Sequence, residues 1–147
     1  MKIREFVPGD RAAFLEMSND FYHSGAAASP IPSEYAEKTF DEIIQKNPDI
    51  HGLMLEEQGR PAGYALYFTH WSCEVGGRVI FLDELYVSPS CRGRGYAADT
   101  LLKIEELYPD AAAFRLEVCM SNQKAISLYE RFGYEFLDYH QMRKVRP

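Results

Sequence analysis

No apolar run in this chain approaches the ~20 residues that a membrane-spanning helix needs. Its start, Met1-Lys2-Ile3-Arg4-Glu5, also has none of the apolar stretch of a secretory signal. Cysteine is scarce: Cys73, Cys91 and Cys119 are odd in number, far apart and form no C-x-x-C pair. That argues against a disulfide framework or a zinc site. The four histidines never fall at H-x-x-x-H spacing, so no metal is expected. Basic charge is in deficit, 16 residues against 22 acidic ones for a net charge of −6. A phosphate backbone needs a basic face, so neither nucleic acid nor a membrane is an expected partner. The G-x-x-x-x-G-K-[ST] pattern of a P-loop is missing, as are internal repeats and low-complexity tracts. Together these absences predict a cytoplasmic protein.

What is present suits an ordinary globular protein. The 147 residues fit one domain, 1–147, and are 46% apolar, with 10 Tyr and 9 Phe. A chain of this length buries roughly 70% of its unfolded surface, enough for a real core. Lys2–Phe6 alternates as a strand, and Asp10 stands as an N-cap before a helix carrying Phe14, Met17 and Phe21. A breaker-rich loop, Gly25–Pro32, leads to a second helix over about Glu34–Lys46, stopped by Asn47-Pro48.

Three strand-like runs follow, Gly52–Glu56, Ala62–Thr69 and Val79–Val87, joined by short glycine turns as an antiparallel meander. Then come a helix over about Gly95–Leu107, a strand at Phe114–Val118, a helix at Gln123–Arg131 and a terminal hairpin or strand pair over Glu135–Val145. The expected architecture is mixed α/β: a mostly antiparallel sheet of six to seven strands flanked by about four helices.

The stretch from Leu82 to Ala97 carries the densest information. A strand runs into a loop with Gly93 and Gly95 that opens directly into a helix. Such a start offers free N–H groups and a positive dipole end to an anion, and Arg92 and Arg94 add charge. A plain strand–helix connection accounts for the glycines as well. A dinucleotide reading also exists, because Gly93-x-Gly95-x-x-Ala98 with Glu117 downstream matches that fingerprint. Against it, five residues (Ser88–Arg92) separate strand from glycine, and the upstream strands lack helical crossovers.

A third reading rests on a resemblance. Arg92-x-x-Gly95-x-Ala97 is similar to the [RQ]-x-x-G-x-[GA] loop of the GNAT superfamily of N-acetyltransferases. A second segment, Asn122-x-x-Ala125-x-x-Leu128-Tyr129-x-x-x-Gly133-Tyr134, resembles that family's N-x-x-A-x-x-[LF]-Y-x-x-x-G-[FY] at the usual distance. The strands Gly63-Tyr64-Ala65-Leu66-Tyr67 and Leu82-Asp83-Glu84-Leu85 look like the diamine and polyamine branch, with the acidic pair in reversed order.

The resemblance implies an enzyme, an acetyl-CoA-dependent N-acetyltransferase acting on a primary amine by direct attack in a ternary complex. A diamine or polyamine is one acceptor class; amino acids, antibiotics and protein N-termini are others. A non-catalytic acyl-CoA sensor is the alternative of another kind. Implied cofactor contacts are Leu85, Tyr86, Val87, Arg92, Gly93, Arg94, Gly95, Tyr96, Ala97, Asn122 and Tyr129. The family often dimerises, so a homodimer is expected on that ground alone.

Chemistry sets what else is required. An alkylamine of pKa ~10.4 is only about 0.04% neutral at pH 7, a deficit of roughly 4.6 kcal/mol, so a carboxylate must take its proton. Asp83 and Glu84 are the candidates. Strand alternation puts them on opposite faces, with Asp83 sharing the face of Leu85 and Val87. The resemblance implies that the backbone at Val87 meets the acetyl and pantetheine groups, which favours Asp83 as the base. Tyr129 matches the family tyrosine that protonates the departing thiolate, and the Val87 N–H would hold the oxyanion.

Overall fold

A computed structural model describes the whole chain, Met1–Pro147. Its strands are β1 (Lys2–Glu5), β2 (His51–Glu57), β3 (Arg60–Ser72), β4 (Gly77–Val87) and β5 (Ala113–Leu116). They form one sheet in the order β1-β2-β3-β4-β5. The first four pair antiparallel, β2 to β4 through short turns and β1 with β2 across the two intervening helices, while β5 lies parallel to β4 because a helical crossover separates them. The helices are α1 (Arg11–His23), α2 (Ser33–Ile44), α3 (Tyr96–Leu107) and α4 (Gln123–Arg131).

Periodicity explains how the layers meet. Phe14, Met17 and Phe21 of α1 and Ala36, Phe40 and Ile43 of α2 recur every three or four residues. They pack on Met54, Tyr64, Leu66 and Tyr86 of one sheet face. Phe14 meets the Tyr64 ring edge-on at 5.0 Å, a geometry that adds to simple burial. Leu101 and Ile104 of α3, with Leu128 and Phe132 of the α4 region, cover Leu53, Ala65, Tyr67, Ile80 and Leu82 on the opposite face.

Three local differences from the sequence reading have physical causes. Asp10 occupies the N-cap position of α1, but its carboxylate makes no cap hydrogen bond. It pairs instead with both terminal nitrogens of Arg4, at 2.7 and 2.9 Å, and accepts from Val7 N–H at 2.8 Å. An arginine fork satisfies a buried carboxylate better than one backbone amide does.

The sheet has five strands, not six or seven. No strand forms in Glu135–Val145, where Phe136, Leu137, Tyr139 and Met142 are exposed. Alternation can propose a strand, but only a ladder partner makes one. Here the Tyr139 hydroxyl donates to Glu74 of the β3–β4 turn at 3.1 Å, holding the segment at the hairpin tip.

The third difference lies in β4. Leu66 pairs with Glu84 and Tyr67 with Leu82, so Asp83 is an extra residue in a β-bulge. Leu82 packs toward α3, whereas Glu84 and Tyr86 reach α1. Strict alternation would have put all three on one face.

Candidate active site

The β4–β5 ladder ends at the pair Leu82–Leu116, while β4 continues to Val87. Beyond that point the two strands part and leave a gap. Ser88 N–H donates to the Ala62 carbonyl at 2.9 Å, so by antiparallel alternation Val87, opposite Gly63, turns its N–H and C=O away from β3. The Val87 carbonyl confirms this by accepting from Arg92 Nε at 2.9 Å. Two residues earlier, Leu85 has the same orientation, so β4 offers two unpaired N–H groups to the gap. Gly63 keeps the backbones close on the other side: a Cβ there would lie 2.3 Å from the Tyr86 carbonyl oxygen.

The loop after β4 makes a turn at Pro89–Cys91 and enters α3 through two left-handed glycines, Gly93 (φ 76°) and Gly95 (φ 83°). The first helical bond runs from Asp99 N–H to the Gly95 carbonyl at 2.9 Å, and no side chain caps the end. The amides of Tyr96, Ala97 and Ala98 are therefore free donors beside a positive dipole end.

Two cavities open from this gap. One, of about 660 Å³, is lined by Leu85, Tyr86, Val87, Arg92, Gly93, Gly95, Tyr96, Ala97, Asn122 and Tyr129. All but one of the sequence-predicted cofactor residues are thus brought together. Arg94 is the one left out, held by Glu57 at 2.8 and 3.0 Å outside the cavity wall. Asn122 lines the cavity while its Oδ1 caps α4 by accepting from Ala125 N–H at 3.3 Å. The other cavity, of about 850 Å³, lies toward β5 and the C-terminal segment. The two share Asp83 and Tyr129, with Phe21, Ala26, Leu116, Glu117 and Val118 around them.

Charge divides between the two. Apart from the shared Asp83 and Glu117, the smaller cavity carries Arg92, Lys124 and Arg131. The larger carries seven carboxylates, those of Glu74, Asp83, Glu84, Glu105, Glu117, Glu130 and Glu135, against Arg115 alone.

The two strand carboxylates differ in commitment. Glu84 is only 7% exposed and accepts from the phenols of Tyr22 and, at 2.6 Å, Tyr64. Burial pushes its carboxyl above the usual range despite both hydrogen bonds. Asp83 opens onto both cavities, and its carboxyl is also raised, first by desolvation and then by the Glu117 charge. No hydrogen bond holds it. Burial alone pushes the Tyr129 phenol up to about 12, with neither a hydrogen bond nor a charge contributing.

Sequence reasoning missed Tyr22, Tyr64 and Glu57. The first two look like core aromatics until the bulge turns Glu84 toward them, and nothing local marks the third.

The sequence profile described as the acetyltransferase (GNAT) family matches residues 12–134. The chain is 36% identical over 142 residues to the thialysine N-epsilon-acetyltransferase of Sus scrofa, spanning 89% of this chain and 82% of that protein. Among solved structures, a possible acetyltransferase from Clostridium difficile 630 aligns with a TM-score of 0.84 at 15% identity, covering 99% of this chain and 97% of that one. An aminoglycoside N-acetyltransferase in complex with CoA gives 0.79 at 16% identity, covering 99% and 95%. At such identities the two structures attest the fold alone.

Proposed function

Because the chain belongs to the acetyltransferase (GNAT) family, we propose that it transfers acetyl from acetyl-CoA to a primary amine of a small cationic molecule. The observation that carries this reading is the pair of cavities of opposite charge meeting at Asp83 and Tyr129. The smaller suits an anionic pyrophosphate: free amides at the start of α3, left-handed glycines that let the backbone approach, and Arg92 beside them. The larger suits an ammonium chain, because its carboxylates hold cations and disfavour anions. The Sus scrofa relative's name, a thialysine acetyltransferase, agrees with an acceptor of that class.

In the proposed mechanism the amine nitrogen attacks the thioester carbonyl directly, with both substrates bound. Asp83 takes the ammonium proton. It is preferred over Glu84 because both Glu84 oxygens already accept phenol hydroxyls. A raised carboxyl is the better base here, since its basicity moves toward working pH. The Val87 N–H donates to the oxyanion of the tetrahedral intermediate, fixed in place before charge develops. When the C–S bond breaks, the sulfur leaves with the bonding pair and takes the Tyr129 proton, and the second proton that the nitrogen sheds on becoming an amide restores the phenol.

A broad amine panel read by release of the CoA thiol tests this. Turnover is expected to be greatest with diamines, polyamines or lysine-like amines, and to weaken with salt as screening shortens the reach of the carboxylates. Preference for neutral or acidic amines would reject the cationic acceptor. CoA binding without turnover on any amine would make the chain a binding module instead.

A further inference from the structure

The loop that would receive the cofactor phosphate has no cap of its own and two residues in left-handed backbone. Something else must hold its shape. Glu57, the last residue of β2, does so from across the fold. Its Oε1 accepts from Arg94 Nη1 at 2.8 Å and from the Tyr96 hydroxyl. Its Oε2 lies 3.0 Å from the same Arg94 nitrogen and 3.6 Å from Cys91 Sγ. Arg94 Nη2 closes the arrangement on the Ser90 carbonyl at 3.2 Å. Cys91 and Arg94 of the loop and Tyr96 at the start of α3 therefore converge on a single carboxylate. Beneath it a separate small cluster, Leu55, Ala62, Cys91 and Tyr96, seats the loop on the sheet.

We infer that Glu57 is a positioning residue for cofactor binding, a proposal that rests on the acetyl-CoA reading above. Glu57 lines neither cavity, so it acts through the loop. It anchors Arg94 and Tyr96 on either side of Gly95, which fixes the direction in which the amides of α3 point. It also neutralises Arg94, leaving Arg92 as the loop cation that faces the cavity. The Tyr96 hydrogen bond first, and the Arg94 charge after it, keep the Glu57 carboxyl below the usual range. The clamp is therefore charged throughout the neutral range.

The test compares Glu57→Ala and Glu57→Gln with the natural protein, using CoA binding by calorimetry and steady-state kinetics on an amine the panel identifies. Glu57→Ala is expected to raise KM for acetyl-CoA and Kd for CoA about tenfold, with kcat at saturation changed less than about twofold. The acceptor KM should stay put. Glu57→Gln keeps an oxygen for Tyr96 but no charge for Arg94, so a smaller rise, about threefold, is expected. A folded Glu57→Ala protein with unchanged CoA affinity, or with lower kcat at unchanged KM, overturns the inference while leaving the acetyl-CoA reading intact. Tighter CoA binding overturns it as well, because Arg94 would then be a competitor released, not a strut removed. If the natural protein itself fails to bind CoA, both readings fall together.

Discussion

Replacing Tyr129 by Phe removes one hydroxyl and leaves the ring packed beside Leu128 and Phe132 on α4. Burial alone sets its phenol at about 12, so no protein partner loses a hydrogen bond. Two consequences can be worked out. At pH 9 only about 0.1% of a phenol of that pKa is ionised, so the acid is in its working form across any ordinary assay range. The same shift makes it a weak acid. Full transfer to a thiolate of conjugate pKa ~8.5 would be uphill by 12 − 8.5 = 3.5 units, roughly 5 kcal/mol.

As the proposed acid, Tyr129 would therefore donate while the C–S bond is still breaking and the sulfur is more basic. On this reasoning Tyr129→Phe should lower kcat by about 10²–10³, within the usual range for a general acid, with KM for acetyl-CoA little changed. Turnover like that of the natural protein would refute it and leave water as the acid. Stability gives an independent check. A phenol raised in the folded state contributes stability that is intact below about pH 10 and lost as pH rises through about 12. Urea unfolding of Tyr129→Phe should then fall less steeply than the natural protein over that window, by up to about 3 kcal/mol.

Asp83→Asn should lose activity at pH 7 and recover it as pH rises toward the amine's own pKa, because neutral amine then becomes abundant; recovery in Glu84→Gln instead would reverse the assignment. Gly95→Val forces a branched side chain into φ 83° at the start of α3, so Kd for CoA should rise at least about tenfold in a folded protein. Asp10→Asn leaves Arg4 with Glu56, at 2.8 Å, as its one carboxylate and should cost about 2–3 kcal/mol at pH 7. Asp10 is depressed in the folded state, so that cost should shrink as pH falls through its folded pKa, and a constant cost across acid unfolding would contradict the pairing.

Helices and the meander were legible because their signals are local. Phe14, Met17 and Phe21 announce α1, and the glycine turns announce β2 to β4. Arg92 and Gly95 mark the loop as a candidate anion site by residue type alone, and both line the smaller cavity. Less legible was anything that depends on what lies opposite. The bulge at Asp83 cannot be read from Val79–Val87, an apolar run interrupted only by Asp83-Glu84, because a bulge is a mismatch in length between two strands. The fate of Arg94 was hidden for the same reason: its partner Glu57 lies 37 residues earlier and carries no motif. The terminal segment failed as a strand because Phe136 and Leu137 can mark a ladder only if an edge accepts them.

The bulge also says which residue the scaffold could do without. Leu82 faces α3, Glu84 faces α1, Leu85 faces α3 and Tyr86 faces α1. Struck from the chain, Asp83 would leave those neighbours in perfect two-residue rhythm, every buried side chain still on its own side and the ladder to β3 unbroken. A protein shortened by that single residue should fold at least as well as this one, and would leave Glu117 as the one carboxylate shared by the two cavities. Asp83 is thus a passenger of the architecture, carried by a sheet that is complete without it.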